Sequence, residues 1–129
     1  MRRAAFSLLL WGGLWVQAAD AIRRIDIVAD KDNRFKLPGQ SKQVLVLKAN
    51  EPVILQITAR RGQEWARDGA VHSLVVRSLR GEGWDVRLKE GTQAVQLKAP
   101  AKPGTYLIEC TVRCGEGHDN MKLKMVVEP

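Results

Sequence analysis

Near the end of a 129-residue chain, Cys110, Cys114, His118 and Met121 bring two thiols, an imidazole and a thioether into one short run. The sequence holds two cysteines and two histidines, and this run contains three of those four residues. The fourth, His72, lies 38 residues before Cys110. Hard cations such as Mg²⁺ and Ca²⁺ select oxygen ligands, whereas sulfur and imidazole are soft or borderline. The donor set therefore suits copper first and zinc second.

The spacing allows more than one use. Two cysteines four apart on a tight loop can aim both sulfurs into one space, and a thiolate has lone pairs enough to bridge two metal ions. Two such bridges hold a compact pair of coppers. His72 and His118 then supply one terminal ligand each, Met121 approaches one ion along an axis, and a backbone carbonyl of the loop serves the other. An electron shared over that core changes bond lengths little, which favours fast transfer. Three rival uses stay open. A Cu(I) carrier would employ the same donors. A mononuclear blue copper site would take Cys114, His118, His72 and Met121 and leave Cys110 idle. A structural zinc on the cysteines and histidines leaves Met121 idle. A Cys110–Cys114 disulfide would close only a tiny ring and stabilise little.

Short β-branched, alternating segments separated by turn residues must position these donors. Strands are expected at Ile25–Ala29, Val44–Leu47, Val53–Thr58, His72–Val76, Trp84–Leu88 (an edge segment), Thr92–Leu97, Thr105–Cys110 and Met121–Val127. Asp30–Gln40 and Arg60–Gly69 read as polar loops, and Pro100, Pro103 and Gly104 mark a turn. Thr92–Leu97 alternates, with a change of face expected near Ala94 or Val95. No segment after the leader keeps a 3.6-residue apolar period, so the fold class is all-β, a Greek-key β-sandwich. The donor loop joins two strands at one end, and His72 begins a strand that reaches the same end. Met121, Leu123 and Met125 share a face by parity, which makes Met125 a core residue. Trp65 is expected to be a packed or half-exposed loop aromatic, Trp84 to pack in the core or at the edge, and Asp68, Glu116 and Asp119 to serve turns and solvation.

Arg2 and Arg3 precede a charge-free, mostly apolar stretch from Ala4 to Ala19, with small-residue cleavage sites at 18–21. That reads as a signal peptide over 1–21, or an uncleaved anchor, and leaves 22–129 as one domain in the periplasm or another extracytoplasmic space. The stretch is short for a membrane span. Cleavage removes two of the 21 Lys and Arg and at most one of the 14 acids, so the net charge of +7 falls to +5 or +6. A basic exported surface can meet anionic lipid or an acidic protein. Nucleic acid is excluded by compartment and by the few aromatics available for stacking. No Ser-His-Asp set and no spare carboxylate pair supports hydrolysis.

The run C-x3-C-x3-H-x2-M, with the upstream tripeptide Val71-His72-Ser73, resembles the binuclear copper (CuA) site in the soluble domain of cytochrome c oxidase subunit II. Nitrous oxide reductase has a similar domain. Ala70–Val76 is similar to the first ligand strand, and Pro103–Cys110 to the strand entering the copper loop. The resemblance covers roughly Val44 to Glu128 and implies a cupredoxin fold and electron transfer. By position it implies Cys110 and Cys114 as bridges, His72 and His118 as terminal ligands, and Met121 as the axial ligand to one copper. The carbonyl of Val112 is then the axial ligand to the other. Implied partners are a donor such as cytochrome c and an acceptor oxidase or reductase, with no catalysis by the domain alone. Three positions depart from the family. Val112 stands where oxidase subunits usually have Glu, so no magnesium site is expected. Ala70 replaces a frequent Asp and Lys122 a frequent Pro. The two membrane helices of the oxidase subunit have no counterpart unless the leader is kept, which implies a free-standing or accessory domain.

Overall fold

The computed structural model describes Gly12, Gly13 and residues 21–129. The leader expected over 1–21 therefore lies, apart from Gly12, Gly13 and Ala21, outside the described residues.

Among the described residues, nine strands form two sheets: β1 (Arg23–Ala29), β2 (Phe35–Lys36), β3 (Val44–Lys48), β4 (Pro52–Ala59), β5 (Ala70–Val75), β6 (Asp85–Lys89), β7 (Gly91–Lys98), β8 (Gly104–Glu109) and β9 (Lys122–Glu128). The orders are β2-β1-β4-β7 and β3-β9-β8-β5-β6, with β1 parallel to β4 and β3 parallel to β9. Alternation decides which faces meet. Val53, Leu55, Ile57 and Ala59 of β4 point into one core shared with Leu123, Met125 and Val127 of β9. Fully burying a side chain of this kind is worth roughly 1.5–3 kcal/mol. Lys122 and Lys124 alternate outward, and Met125 is fully buried, as parity requires.

The expected strands are present with small shifts. The edge segment is Asp85–Lys89 rather than Trp84–Leu88. Trp84 belongs to the core, with its indole N–H donating to the Lys98 carbonyl at 2.9 Å. The loop expected over Asp30–Gln40 contains β2, because buried Phe35 pairs with Ala29. The change of face expected near Ala94 does not occur. Gln93, Val95 and Leu97 stay on one side, held by the unbroken β4–β7 register.

Two departures from regular pairing matter for the site. β5 has a bulge, since Ala70 pairs with Lys89 and His72 with Leu88, leaving Val71 as the extra residue just before His72. Bulges of this kind re-aim the side chain that follows. β5 and β8 also share one ladder pair among the described residues, Val75 with Glu109. Beyond it the strands part, and the Ser73 hydroxyl bridges the gap by accepting the Thr111 N–H at 2.7 Å and bonding the Thr111 hydroxyl at 2.8 Å.

Candidate metal centre

The donor loop leaves β8 at Cys110 and returns to β9 at Met121, and the Cys110 N–H donates to the Met121 carbonyl at 3.2 Å to close its base. Gly115 (φ 119°) and Gly117 (φ 90°) let the chain double back. The 3-10 turn His118–Asn120 then brings His118 over Cys114. Val112 is buried and Arg113 points out, so the loop is amphipathic at single-residue resolution.

Inside this loop the sequence-derived donors converge. One ligand atom each from His72, Cys110 and Cys114 lies within 4.8 Å of the others, and all three residues are buried. Both cysteines are free thiols. His118 Nδ1 is 3.4 Å from the Cys114 sulfur, and the Met121 sulfur is 3.9 Å from it. The Val112 carbonyl oxygen is 3.3 Å from the Cys110 sulfur. All six residues singled out in the sequence are thus brought to one place.

The chemistry of this cluster fits a soft metal. His72 Nε2 is 2.7 Å from the Arg60 carbonyl oxygen, which can only accept, so the ring carries its proton on Nε2. Nδ1 is then left with a bare lone pair, buried and without a partner among the described residues. An orphaned buried nitrogen facing two thiols costs stability unless something binds it. The second ring nitrogen held by a backbone carbonyl is the usual outer support of a metal-bound imidazole. The sulfurs act as a pair: a hydrogen bond from the Cys114 thiol draws the Cys110 thiol well below its ordinary value, and the same bond pushes Cys114 up.

Three outer loops hold the cluster, and none is marked in the sequence by a motif. The Cys114 carbonyl accepts the N–H groups of Gln63 and Glu64, both at 3.1 Å. Fully buried Asn33, at φ 57°, donates its amide to the Glu116 carbonyl at 2.6 Å and to Gln63 at 2.9 Å. Asp30 receives Lys36 at 2.7 Å, the Lys31 N–H at 2.8 Å and Arg60 at 3.3 Å, so it anchors the residue whose carbonyl orients His72. At the start of β5, Asp68 accepts the Ala70 N–H and both arms of Arg87, which is the turn role expected of it. Trp65 is 54% exposed, with Arg61 stacked over its ring at 4.5 Å.

The Lys36 ammonium holds the Asp30 carboxyl down at about 2, helped by the Lys31 N–H and Arg60 against the cost of burial. A carboxyl depressed in the folded state stabilises above its unfolded value and loses that contribution as pH falls through the folded one. Asp30→Asn should therefore cost about 1 kcal/mol at pH 7 after allowance for solvent screening, and only a small fraction of that near pH 2, where the folded carboxyl is half protonated. Denaturant midpoints for both proteins between pH 7 and pH 2 check this. A gap that persists at the acid end contradicts it.

No protein-family model matches the chain, and no curated protein matches it. Solved structures do. A chain of a heme-copper terminal oxidase dimer superposes with a TM-score of 0.59 and 21% identity over 82% of this chain, which spans 65% of that chain's length. The periplasmic domain of cytochrome oxidase subunit II (CoxB) of Bradyrhizobium japonicum gives 0.56 and 19%, over 87% of this chain and 86% of that one. Auracyanin A, a "blue" copper protein of Chloroflexus aurantiacus, gives 0.51 and 19%, over 84% and 100%. No helix of the described residues is long and apolar enough to cross a membrane. These likenesses are of architecture, and they agree with the strand order and the shared core: the chain has the cupredoxin fold, and its structural neighbours include the soluble domain of an oxidase subunit II and blue copper proteins.

Proposed function

We propose that this chain relays single electrons through a pair of copper ions held by His72, Cys110, Cys114, His118, Met121 and the carbonyl of Val112. The observation that carries the reading is the meeting of the His72 ring, whose Nδ1 is bare and buried, with two free thiols at the end of a cupredoxin sandwich. When bound, the copper pair supplies a one-electron couple with little change of shape. The chain does the rest. Arg60 fixes the His72 tautomer, the Cys114 carbonyl is tied to Gln63 and Glu64, and Ser73 holds Thr111 between Cys110 and Val112. All donors are committed to metal, so no open position is left for a substrate and the domain catalyses nothing alone.

The 22–129 domain is read as an exported, periplasmic electron carrier. It takes electrons from a redox protein such as a cytochrome c and passes them to a terminal oxidase or a nitrous oxide reductase type enzyme. A mononuclear blue copper site is the second reading, favoured by the contacts of Cys114 with His118 and Met121 alone. It ranks lower because Cys110 sits in the same cluster with no other task. Anaerobic reconstitution decides between them. Two coppers per chain, with more hyperfine lines than one nucleus can give, is the expected result; one copper with single-nucleus hyperfine defeats the paired site. Slow electron self-exchange with a readily surrendered Cu(I) would instead mark a copper carrier.

A further inference from the structure

Two openings reach the donor cluster from solvent. The wider, about 660 Å³, lies above His118 and is walled by Gln63, Glu64, Arg113 and Glu116. The smaller, about 320 Å³, lies at the junction of β8 and β9. We infer that metal reaches the sulfurs through the smaller pocket, past the Arg77–Glu109 ion pair, and that this pair acts as its gate. The inference rests on the copper reading above.

The donors are distributed unequally between the two openings. Of the residues expected to bind metal, the wide cavity shows His118, whereas the small pocket shows Cys110, Met121 and His118. Exposure agrees, since Cys110 is 7% exposed and Cys114 is 0% exposed. A cation arriving from the wide side meets one imidazole and the carboxylates of Glu64, Glu116 and Asp119, but no sulfur. A cation arriving from the small side meets a thiol sulfur and a thioether sulfur together, the soft donors a Cu(I) ion prefers.

The remaining walls of the small pocket are charged. Glu109 and Asp119 offer carboxylates that attract a cation, while Arg77 and Lys122 oppose them. Arg77 Nε lies 2.7 Å from Glu109, and the Arg77 side chain is 68% exposed against 18% for Glu109. A pair with one partner so exposed is weak, and its long cationic arm can swing into water without moving a strand. The backbone around the pocket is fixed by the Cys110 N–H to Met121 carbonyl bond, so opening is a side-chain event. Once Arg77 leaves, Glu109 is freed beside the cysteine it precedes in sequence. It can hold an incoming ion until the sulfurs take it. No redox change is needed if the ion arrives as Cu(I), and each thiol proton leaves to solvent as its sulfur binds.

The test uses the full chain in two arms. In the metal-free protein, iodoacetamide labelling with peptide mapping should modify Cys110 before Cys114. Arg77→Ala should quicken that labelling about three- to fivefold, the change that removing a weak surface ion pair allows. Arg113→Ala, at the rim of the wide cavity, should leave it unaltered. In the second arm, Cu(I) is supplied without oxygen as its bicinchoninate complex. Arg77→Ala should raise the uptake rate by a similar factor at unchanged final copper content. Cys114 labelling first, equal rates in Arg77→Ala and the parent protein, or acceleration by Arg113→Ala overturns the route. A parent protein that takes up no copper sinks the copper reading instead, and the labelling arm still reads the gate.

Discussion

Cys110→Ser is expected to destroy the paired site while sparing the fold. Cys110 is almost fully buried, so a serine of similar volume fills its place. Its hydroxyl can still reach the Val112 carbonyl that the thiol contacts at 3.3 Å. On the proposed reading, what disappears is one of the two sulfurs that would bridge the coppers. Copper content should fall from two ions per chain to one or none. The delocalised paramagnetic pattern should vanish, and affinity for the second ion should drop by at least about a hundredfold, more than the loss of an outer-shell partner costs. The thermal midpoint of the metal-free protein should move little. The same variant separates the two copper readings. A mononuclear site built on Cys114, His118, His72 and Met121 would keep its single ion and its intense colour in Cys110→Ser, and that result would sink the bridged pair.

The second large effect comes from a residue with no side chain. Gly62 lies where the Arg60–Gly69 loop crosses the donor loop. A Cβ built there would stand 2.7 Å from the Cys114 carbonyl oxygen and closer still to the Asn33 amide oxygen. Both are held, the carbonyl by the N–H groups of Gln63 and Glu64 and the amide by its bonds to Gln63 and Glu116. Neither can retreat cheaply. Gly62→Ala should therefore destabilise the protein by about 2–3 kcal/mol, at the upper end of overpacking costs, and lower Tm by roughly 10 °C or more. Since the displaced atom is the carbonyl of Cys114 itself, the visible spectrum of the copper-loaded protein should change as well. Gly81→Ala is the control, because a Cβ there meets nothing within 4 Å and Gly81 has no positive φ. A Gly62→Ala protein that melts like Gly81→Ala would show that the loop crossing is slack.

The contrast between Cys110 and Gly62 shows what a sequence can reveal of such a site. Cys110, Cys114, His118 and Met121 are local, and their spacing alone encodes a loop that can turn four donors inward. His72 is distant but sits in a legible strand start. The alternating strands were equally readable because burial on one face imposes a period of two, as in β4 and β9. Arg60, Asn33, Asp30 and Gly62 left no local signal. Their roles arise from the crossing of three loops, and a carbonyl oxygen such as that of Arg60 carries no mark of its side chain. β2 escaped notice for a similar reason: two residues are too few to show a period, and Phe35 is buried by a partner strand rather than by its own pattern. The parallel neighbours β1 with β4 and β3 with β9 depend on long-range pairing that alternation leaves undetermined.

β5 is buried along all six of its residues, both faces covered, with the bulge at Val71 and the Ser73 hydroxyl holding its far side. A strand so enclosed, with the His72 ring held by the Arg60 carbonyl, leaves that side chain little freedom. The ordering entropy of that ligand is therefore spent when the chain folds rather than when an ion arrives. Amides along 70–75 should already be strongly protected in the metal-free protein, and calorimetry of loading should register almost no heat-capacity change. The empty and the filled protein would then be one scaffold, ready to be loaded, emptied and loaded again without refolding.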